Sequence, residues 1–228
     1  MIKAVVFDLG GTLMEYVGMP LNWEDYYYAG FQNVNRLNEL NLSENEIQDA
    51  IKIVKEYNPR NCKREYEVAP EIIFRDATAG WSKRPEIEKV IEDFFAGMSL
   101  KTRIFDYSQK LVENCKKKGL FVACLTDLAN GMPDYMFRKE ISAIEPLFDL
   151  YVSSQTIGVR KPNSKGIEFI AKSFGIDISE ILLVGDEKKD EDTAARAGCQ
   201  FQYIDVHKLK SEIAYREEGS KNFTVTVI

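Results

Sequence analysis

The stretch IKAVVFDLGGT, residues 2–12, decides the fold. Residues 2–7 form an unbroken β-rich apolar run that stops at Asp8, the pattern of a central strand buried on both faces. Gly10 and Gly11 follow at once, so the chain turns there. A strand of this kind needs parallel neighbours, and the sequence signals them only after Gly119.

From that point strand and helix patterns alternate. LFVACLT (120–126), FDLYVS (148–153), ILLVGD (181–186) and FQYID (201–205) read as strands. Helices are predicted over about 107–118, 132–142, 164–174 and 190–197, with Gly119, Gly175 and Gly198 as stops after three of them. Such alternation, joined by short glycine turns, means βαβ units and a parallel sheet. FTVTVI (223–228) reads as an added edge strand.

Between the first strand and the rest lies a stretch without strand signals. Trp23 to Leu40 carries Tyr27, Phe31, Val34 and Leu37 near helical spacing. Ser43-Glu44-Asn45-Glu46 is a capping-box sequence, opening a helix through Ile47, Ile51 and Val54 that ends before Pro59. Pro70 begins another helix. Pro85 takes the first-turn position of one more, whose apolar face is Ile87, Val90, Ile91, Phe94 and Phe95. Residues 15–100 therefore read as a helical insertion into an α/β fold. The expected architecture is a Rossmann-like parallel core from residues 1–14 and 101–228, with no internal repeats.

The totals exclude several classes. The chain has 228 residues, 45% hydrophobic and 29% charged, a balance that suits a folded soluble domain. The net charge of −6 is spread over interleaved acids and bases, which argues against a nucleic-acid partner. No segment is long and apolar enough for a signal peptide or a membrane span, so cytoplasmic residence is expected. Cys62, Cys115, Cys124 and Cys199 form no C-x-x-C pair and suggest buried or isolated thiols rather than a disulfide framework. His207 is the only histidine, so a multi-histidine zinc site is excluded, and a Ser-His-Asp or Cys-His mechanism would rest on that one residue.

In open parallel sheets, ligands bind beyond the carboxyl ends of the strands. The residues there are Asp8 to Thr12, Thr126-Asp127, and Gly185-Asp186 with Asp190 following. Lys161-Pro162 lies on the loop after the 148–153 strand. Carboxylates, a hydroxyl and a lysine on one rim are the composition of a site for a hard cation and a phosphate. A carboxylate at a strand end can attack phosphorus, and a lysine can steady the other oxygens. Taken singly, each residue has a plainer reading: Asp8 as a turn aspartate, Lys161 as a surface lysine, Asp190 to Asp192 as charges at a helix start.

The order D-L-G-G-T-L, then L-T-D, then R-K-P, then V-G-D-E-K-K-D resembles the four sequence motifs of the haloacid dehalogenase superfamily, in its subgroup with a helical cap after the first motif. The resemblance covers essentially the whole chain. It implies that residues 15–100 are the cap, that Asp8 is the nucleophile, and that magnesium (Mg2+) is held by Asp8, the Gly10 carbonyl, Asp186 and Asp190. It implies that Thr126 and the backbone near Gly11 and Asp127 bind the phosphoryl group, and that Lys161 stabilises it together with the nucleophile. Thr12 resembles a turn-stabilising residue more than a contact. The implied activity is hydrolysis of a small phosphorylated metabolite by a monomer or homodimer.

The chain departs from that pattern in two places. The family's phosphatases usually carry a second aspartate two residues after the nucleophile, which protonates the leaving group and activates water. Here that position is Gly10. Proton transfer of this kind is typically worth ~10²–10⁴ in rate. The leaving group then departs unprotonated, or another acid such as Glu15 substitutes, or the protein is a poor catalyst. Asp127 stands where the family often has asparagine, so its side chain should point away from a phosphate. Two other readings stay open: a 2-haloacid dehalogenase using the same Asp8 without metal, and a weakly catalytic binding or regulatory protein. In the insertion, Tyr26, Tyr28 or Trp81 is a minority candidate to face the cleft, and Arg60, Arg64 and Arg75 are candidates to meet an anion.

Overall fold

The computed structural model describes residues 1–204; His207 and the 223–228 segment lie outside the described residues. In chain order the elements begin with β1 (Ala4–Phe7), β2 (Met14–Tyr16), α1 (Tyr27–Leu37), α2 (Glu44–Glu56), α3 (Pro59–Cys62), α4 (Pro70–Ala77) and α5 (Ile87–Gly97). They continue with β3 (Thr102–Ile104), α6 (Ser108–Lys117), β4 (Phe121–Thr126), α7 (Asp134–Glu140), β5 (Leu150–Ser153) and α8 (Ser154–Ile157). The last are α9 (Lys165–Phe174), β6 (Ile181–Gly185), α10 (Lys188–Ala197) and β7 (Gln200–Tyr203).

β1 is the middle of a five-stranded sheet ordered β5-β4-β1-β6-β7, and every pairing is parallel. All four residues of β1 are fully buried. Strand alternation sends Val5 and Phe7 to one face with Val122, Cys124, Leu182 and Val184. Ala4 and Val6 go to the other, with Ala123, Leu125, Ile181 and Leu183, where α9 contributes Ile167 and Ile170. The register pairs Phe7 with Cys124 on one side and Val184 on the other, so the residues after β1, β4 and β6 leave the sheet along one edge.

The helices between Tyr27 and Gly97 form their own packed unit, continuous with the apolar cluster on the Val5 face. At its centre Phe94 lies edge-on to Phe31 and Phe74, with ring centroids 4.9 Å apart in both cases. Burying a side chain of this size stabilises by about 1.5–3 kcal/mol. The capping box at Ser43 and Glu46 is formed as expected and opens α2. Other boundaries shift. The Trp23–Leu40 pattern resolves into a 3₁₀ turn over Glu24–Tyr26 followed by α1. Pro85 precedes the N-cap Glu86 rather than occupying the first turn. Pro59 begins the short α3.

No pattern in the sequence marks the antiparallel ribbon formed by two short strands. β2 and β3 pair Met14 with Ile104, Glu15 with Arg103 and Tyr16 with Thr102. Val17 N–H then donates to the Lys101 carbonyl at 2.8 Å. The chain thus leaves the core and returns to it through adjacent backbone.

The helical insert also touches the core at a second place. Tyr66 forms an antiparallel bridge with Val159. Glu67 N–H donates to Gly158 O and Arg160 N–H to Glu65 O, both at 2.9 Å. Beneath this clasp the buried Glu67 carboxylate receives Arg64 at 3.0 Å and also Arg160.

Candidate active site

The turn after β1 is wound tightly. Thr12, Leu13 and Met14 all donate their N–H groups to the Leu9 carbonyl. Gly11 sits at φ +77°, and a Cβ there would collide with the Asp186 carboxylate, so only glycine lets the two loops meet. Its N–H donates to Met14 O at 2.8 Å. The phosphate-facing backbone donor expected at Gly11 is therefore engaged inside the turn, and what Gly11 provides is the close approach of Asp186.

Asp8, Asp186 and Asp190 each offer a carboxylate oxygen, and these oxygens lie within 4.8 Å of one another. Lys161 is buried among them, with Nζ 2.8 Å from Asp8 Oδ1 and 2.5 Å from Asp190 Oδ1. Asp190 is completely buried and also accepts the Glu187 N–H at 3.0 Å, closing the capping box of α10. Thr12 Oγ1 donates to Asp186 Oδ1 at 2.9 Å. Thr126 is buried at the end of β4, and Gly10 lines the same cleft.

Charge does not balance within this group. Three carboxylates face one ammonium. Burial pushes the Asp8 carboxyl up to about 7, with Lys161 opposing and Asp190 and Asp186 adding. Burial also raises Asp186, against the hydrogen bond from Thr12. Burial alone would lower the Lys161 ammonium, but Asp190, Asp8 and Asp127 together hold it above the ordinary lysine range. An all-oxygen donor set with surplus negative charge fits a hard divalent cation. Asp8, Asp186 and Asp190 are the residues that would hold it.

Asp127 turns its side chain away from the acid group. Its Oδ1 accepts the Lys161 N–H at 3.1 Å, and Oδ2 lies 3.4 Å from Lys189 Nζ. Burial works against its ionised form, but Lys189, Arg160 and Lys161 hold the carboxyl below the usual range. Sequence reasoning missed Lys189 and Arg160. Each was visible as a cation directly before a motif residue, Asp190 and Lys161.

The cleft above the acids has a volume of about 970 Å³ and lies between the sheet edge and the helical insert. Among the residues weighed from sequence, Arg60 and Arg64 line it. Arg60 pairs with Glu187 at 2.9 Å, and Arg64 is bound by Glu67 and the Tyr57 carbonyl. Arg75 is exposed away from it. Tyr26, Tyr28 and Trp81 do not line it; Trp81 is buried against Phe31, and Tyr28 donates to Glu44. Trp23 and Tyr27 take that place instead. Glu15, weighed as a substitute acid, lines the cleft but is ion-paired with Arg103 across the β2–β3 ribbon.

A cleft at the carboxyl edge of a parallel α/β sheet, floored by carboxylates around a buried lysine, is the fold and site of an enzyme. The chain belongs to the haloacid dehalogenase-like hydrolase family, whose model matches residues 2–198. Phosphoglycolate phosphatase of Thiobacillus denitrificans is 28% identical over 204 residues, which cover 87% of this chain and 81% of that protein. Phosphoserine phosphatase of Thermus thermophilus is 26% identical over 137 residues, covering 59% and 54%. A crystal structure of 2-haloacid dehalogenase from Pseudomonas syringae pv. Tomato superimposes with a TM-score of 0.66 over 100% of this chain and 92% of that one. At 17% identity that likeness shows the fold alone.

Proposed function

We propose that this hydrolase is a magnesium-dependent phosphatase acting on a small phosphorylated metabolite. The observation that carries the reading is the grouping of Asp8, Asp186 and Asp190 around Lys161 at the end of the central strand. Magnesium would supply charge neutralisation at the phosphoryl oxygens, letting an anionic nucleophile approach. Asp8 attacks phosphorus through its carboxylate oxygen, and the phosphorus–oxygen bond to the leaving group breaks. Lys161 steadies the attacking carboxylate and the non-transferring oxygens. Thr126 and the backbone after β4 hold the phosphoryl group. Water then opens the aspartyl phosphate, releasing phosphate and restoring Asp8.

The helical insert serves as a cap over the cleft, closing out bulk water during the reaction. The names of the relatives make phosphoglycolate and phosphoserine the first substrates to try. The test is phosphate release with magnesium and with EDTA, on the wild type and on Asp8→Asn. Activity that needs magnesium and vanishes in Asp8→Asn is expected. An Asp8→Asn variant with full activity would sink the mechanism.

One observation favours a second reading. Gly10 supplies no proton donor, and attack of Asp8 on carbon with loss of a halide needs none. Chloride release from a 2-haloacid, indifferent to EDTA, would select that dehalogenase reading.

A further inference from the structure

The cleft's own residues restrict which leaving group can depart. Among the described residues, its carboxyl groups apart from Asp8 are Glu15, Glu65, Asp127, Glu187 and Asp192. Glu15 is paired with Arg103, and Glu65 with Arg196 at 2.8 Å. Asp127 lies 3.4 Å from Lys189, Glu187 2.9 Å from Arg60, and Asp192 2.8 Å from Lys188. Each of these five carboxylates thus has a cation beside it.

Lys161, Lys189 and Tyr16, three other proton carriers of the cleft, are also held. Lys161 Nζ lies between Asp8 and Asp190, and Lys189 Nζ between Asp127 and Glu187 at 3.4 and 3.8 Å. The Tyr16 hydroxyl donates to the Met132 sulfur at 3.7 Å. Gly10, two residues past Asp8, leaves open space where an acid would stand: a Cβ built on it meets nothing within 4 Å.

The upper wall has a different chemistry. Tyr16, Met19, Leu21 and Trp23 line it, with the Tyr16 and Trp23 rings edge to face at 4.8 Å. Leu21 is 68% exposed. Apolar side chains left open beside a catalytic floor mark a subsite for an apolar body.

Resting on the phosphatase reading above, we infer that the substrate is a phosphate whose leaving group departs as a stable anion and carries an apolar, preferably aromatic, body. Aryl phosphates and aromatic acyl phosphates are of this class. In the first step an Asp8 oxygen bonds to phosphorus, and the departing oxygen takes the electron pair of the broken P–O bond without receiving a proton. In the second, water bonds to phosphorus, the Asp8–phosphorus bond breaks, and the water proton passes to solvent. With no base among the described residues held over that water, the second step is slow, and the aspartyl phosphate accumulates.

The test compares 4-nitrophenyl phosphate, phenyl phosphate, acetyl phosphate and glycerol phosphate, with magnesium, on wild type, Gly10→Asp and Asp8→Asn. Wild-type kcat/KM should fall by at least about 10²-fold from 4-nitrophenyl to phenyl phosphate, which share a body but differ in leaving group. Nitrophenol release should show a burst of one equivalent per site. KM for acetyl phosphate should exceed that for 4-nitrophenyl phosphate. Gly10→Asp, checked by its melting curve, should narrow the gap between the two aryl esters. Equal kcat/KM for phenyl and 4-nitrophenyl phosphates in the wild type, or glycerol phosphate as the best substrate, overturns the inference while leaving Asp8 as nucleophile. No magnesium-dependent turnover of any of the four, or full turnover by Asp8→Asn, overturns the phosphatase reading beneath it.

Discussion

Thr12 Oγ1 donates a 2.9 Å hydrogen bond to Asp186 Oδ1, joining the loop after β1 to the loop after β6. Thr12 is fully buried, so this is its side chain's fixed partner, and it aims one carboxylate oxygen of the acid group. Replacing Thr12 by valine keeps the shape and removes the donor. A loss of about 1 kcal/mol in stability is expected, because a half-buried acceptor loses its protein donor. Magnesium affinity should fall by roughly 10–100-fold, the usual cost of losing a partner that orients a ligand. Calorimetric titration of metal into the two proteins reads this directly; unchanged affinity would remove Asp186 from the cation site.

Metal-free stability should depend on pH in a particular direction. Burial favours the protonated form of Asp8 in the folded chain, with its carboxyl near 7 against an ordinary value of 3.8. Its contribution is then fully present below about pH 4 and is lost as pH rises through 7. Asp186 is shifted the same way. In EDTA the melting temperature should drop between pH 5 and pH 8. Magnesium should flatten that drop, because the cation takes the place of the proton. At a hundredfold excess over Kd its stabilisation is about 2.7 kcal/mol, and it should be larger at pH 8 than at pH 5. A metal-free melting temperature that climbs over this window would contradict the charge imbalance described for the acid group.

The clasp between insert and core should respond unequally to two neighbouring substitutions. Glu67 is buried and serves both Arg64 and Arg160, whereas Glu65 pairs with Arg196 near the surface. Glu67→Gln leaves two buried guanidinium groups without their counter-charge, at a cost of about 3–5 kcal/mol. Glu65→Gln should cost less than about 1 kcal/mol. Urea denaturation of both variants makes the comparison. Similar small losses would mean that the clasp contributes little. Arg160 directly precedes Lys161, so Glu67→Gln should also reduce turnover, and Glu65→Gln should not.

Legibility from sequence followed the range of the forces involved. β1, β4 and β6 were readable because a strand buried on both faces must be apolar throughout, and their ends located Asp8, Thr126 and Asp186. The capping box at Ser43 and the stops at Gly119, Gly175 and Gly198 were readable because they are local. The β2–β3 ribbon was not: three residues a side, Met14–Tyr16 and Thr102–Ile104, carry no period, and their pairing is set by tertiary contact. The ion pairs that neutralise the cleft were equally hidden, since Arg60 and Glu187, or Lys189 and Asp127, come together only when the loops do. Pattern left Trp81 only a minority candidate to face the cleft. Its burial against Phe31 reflects packing between helices that no single stretch encodes.

The hydrogen bond from Val17 to Lys101 makes the ribbon a handle. Everything hung beyond it leaves and rejoins the core one bond apart, so its loop closure is settled before its contents are chosen. The insert is tied to the core a second time by the Tyr66–Val159 bridge and the Glu67–Arg160 pair, so a segment grafted there needs neighbouring ends and a substitute for that clasp. The sheet is the tool's shaft, and the ribbon is the socket from which the insert hangs.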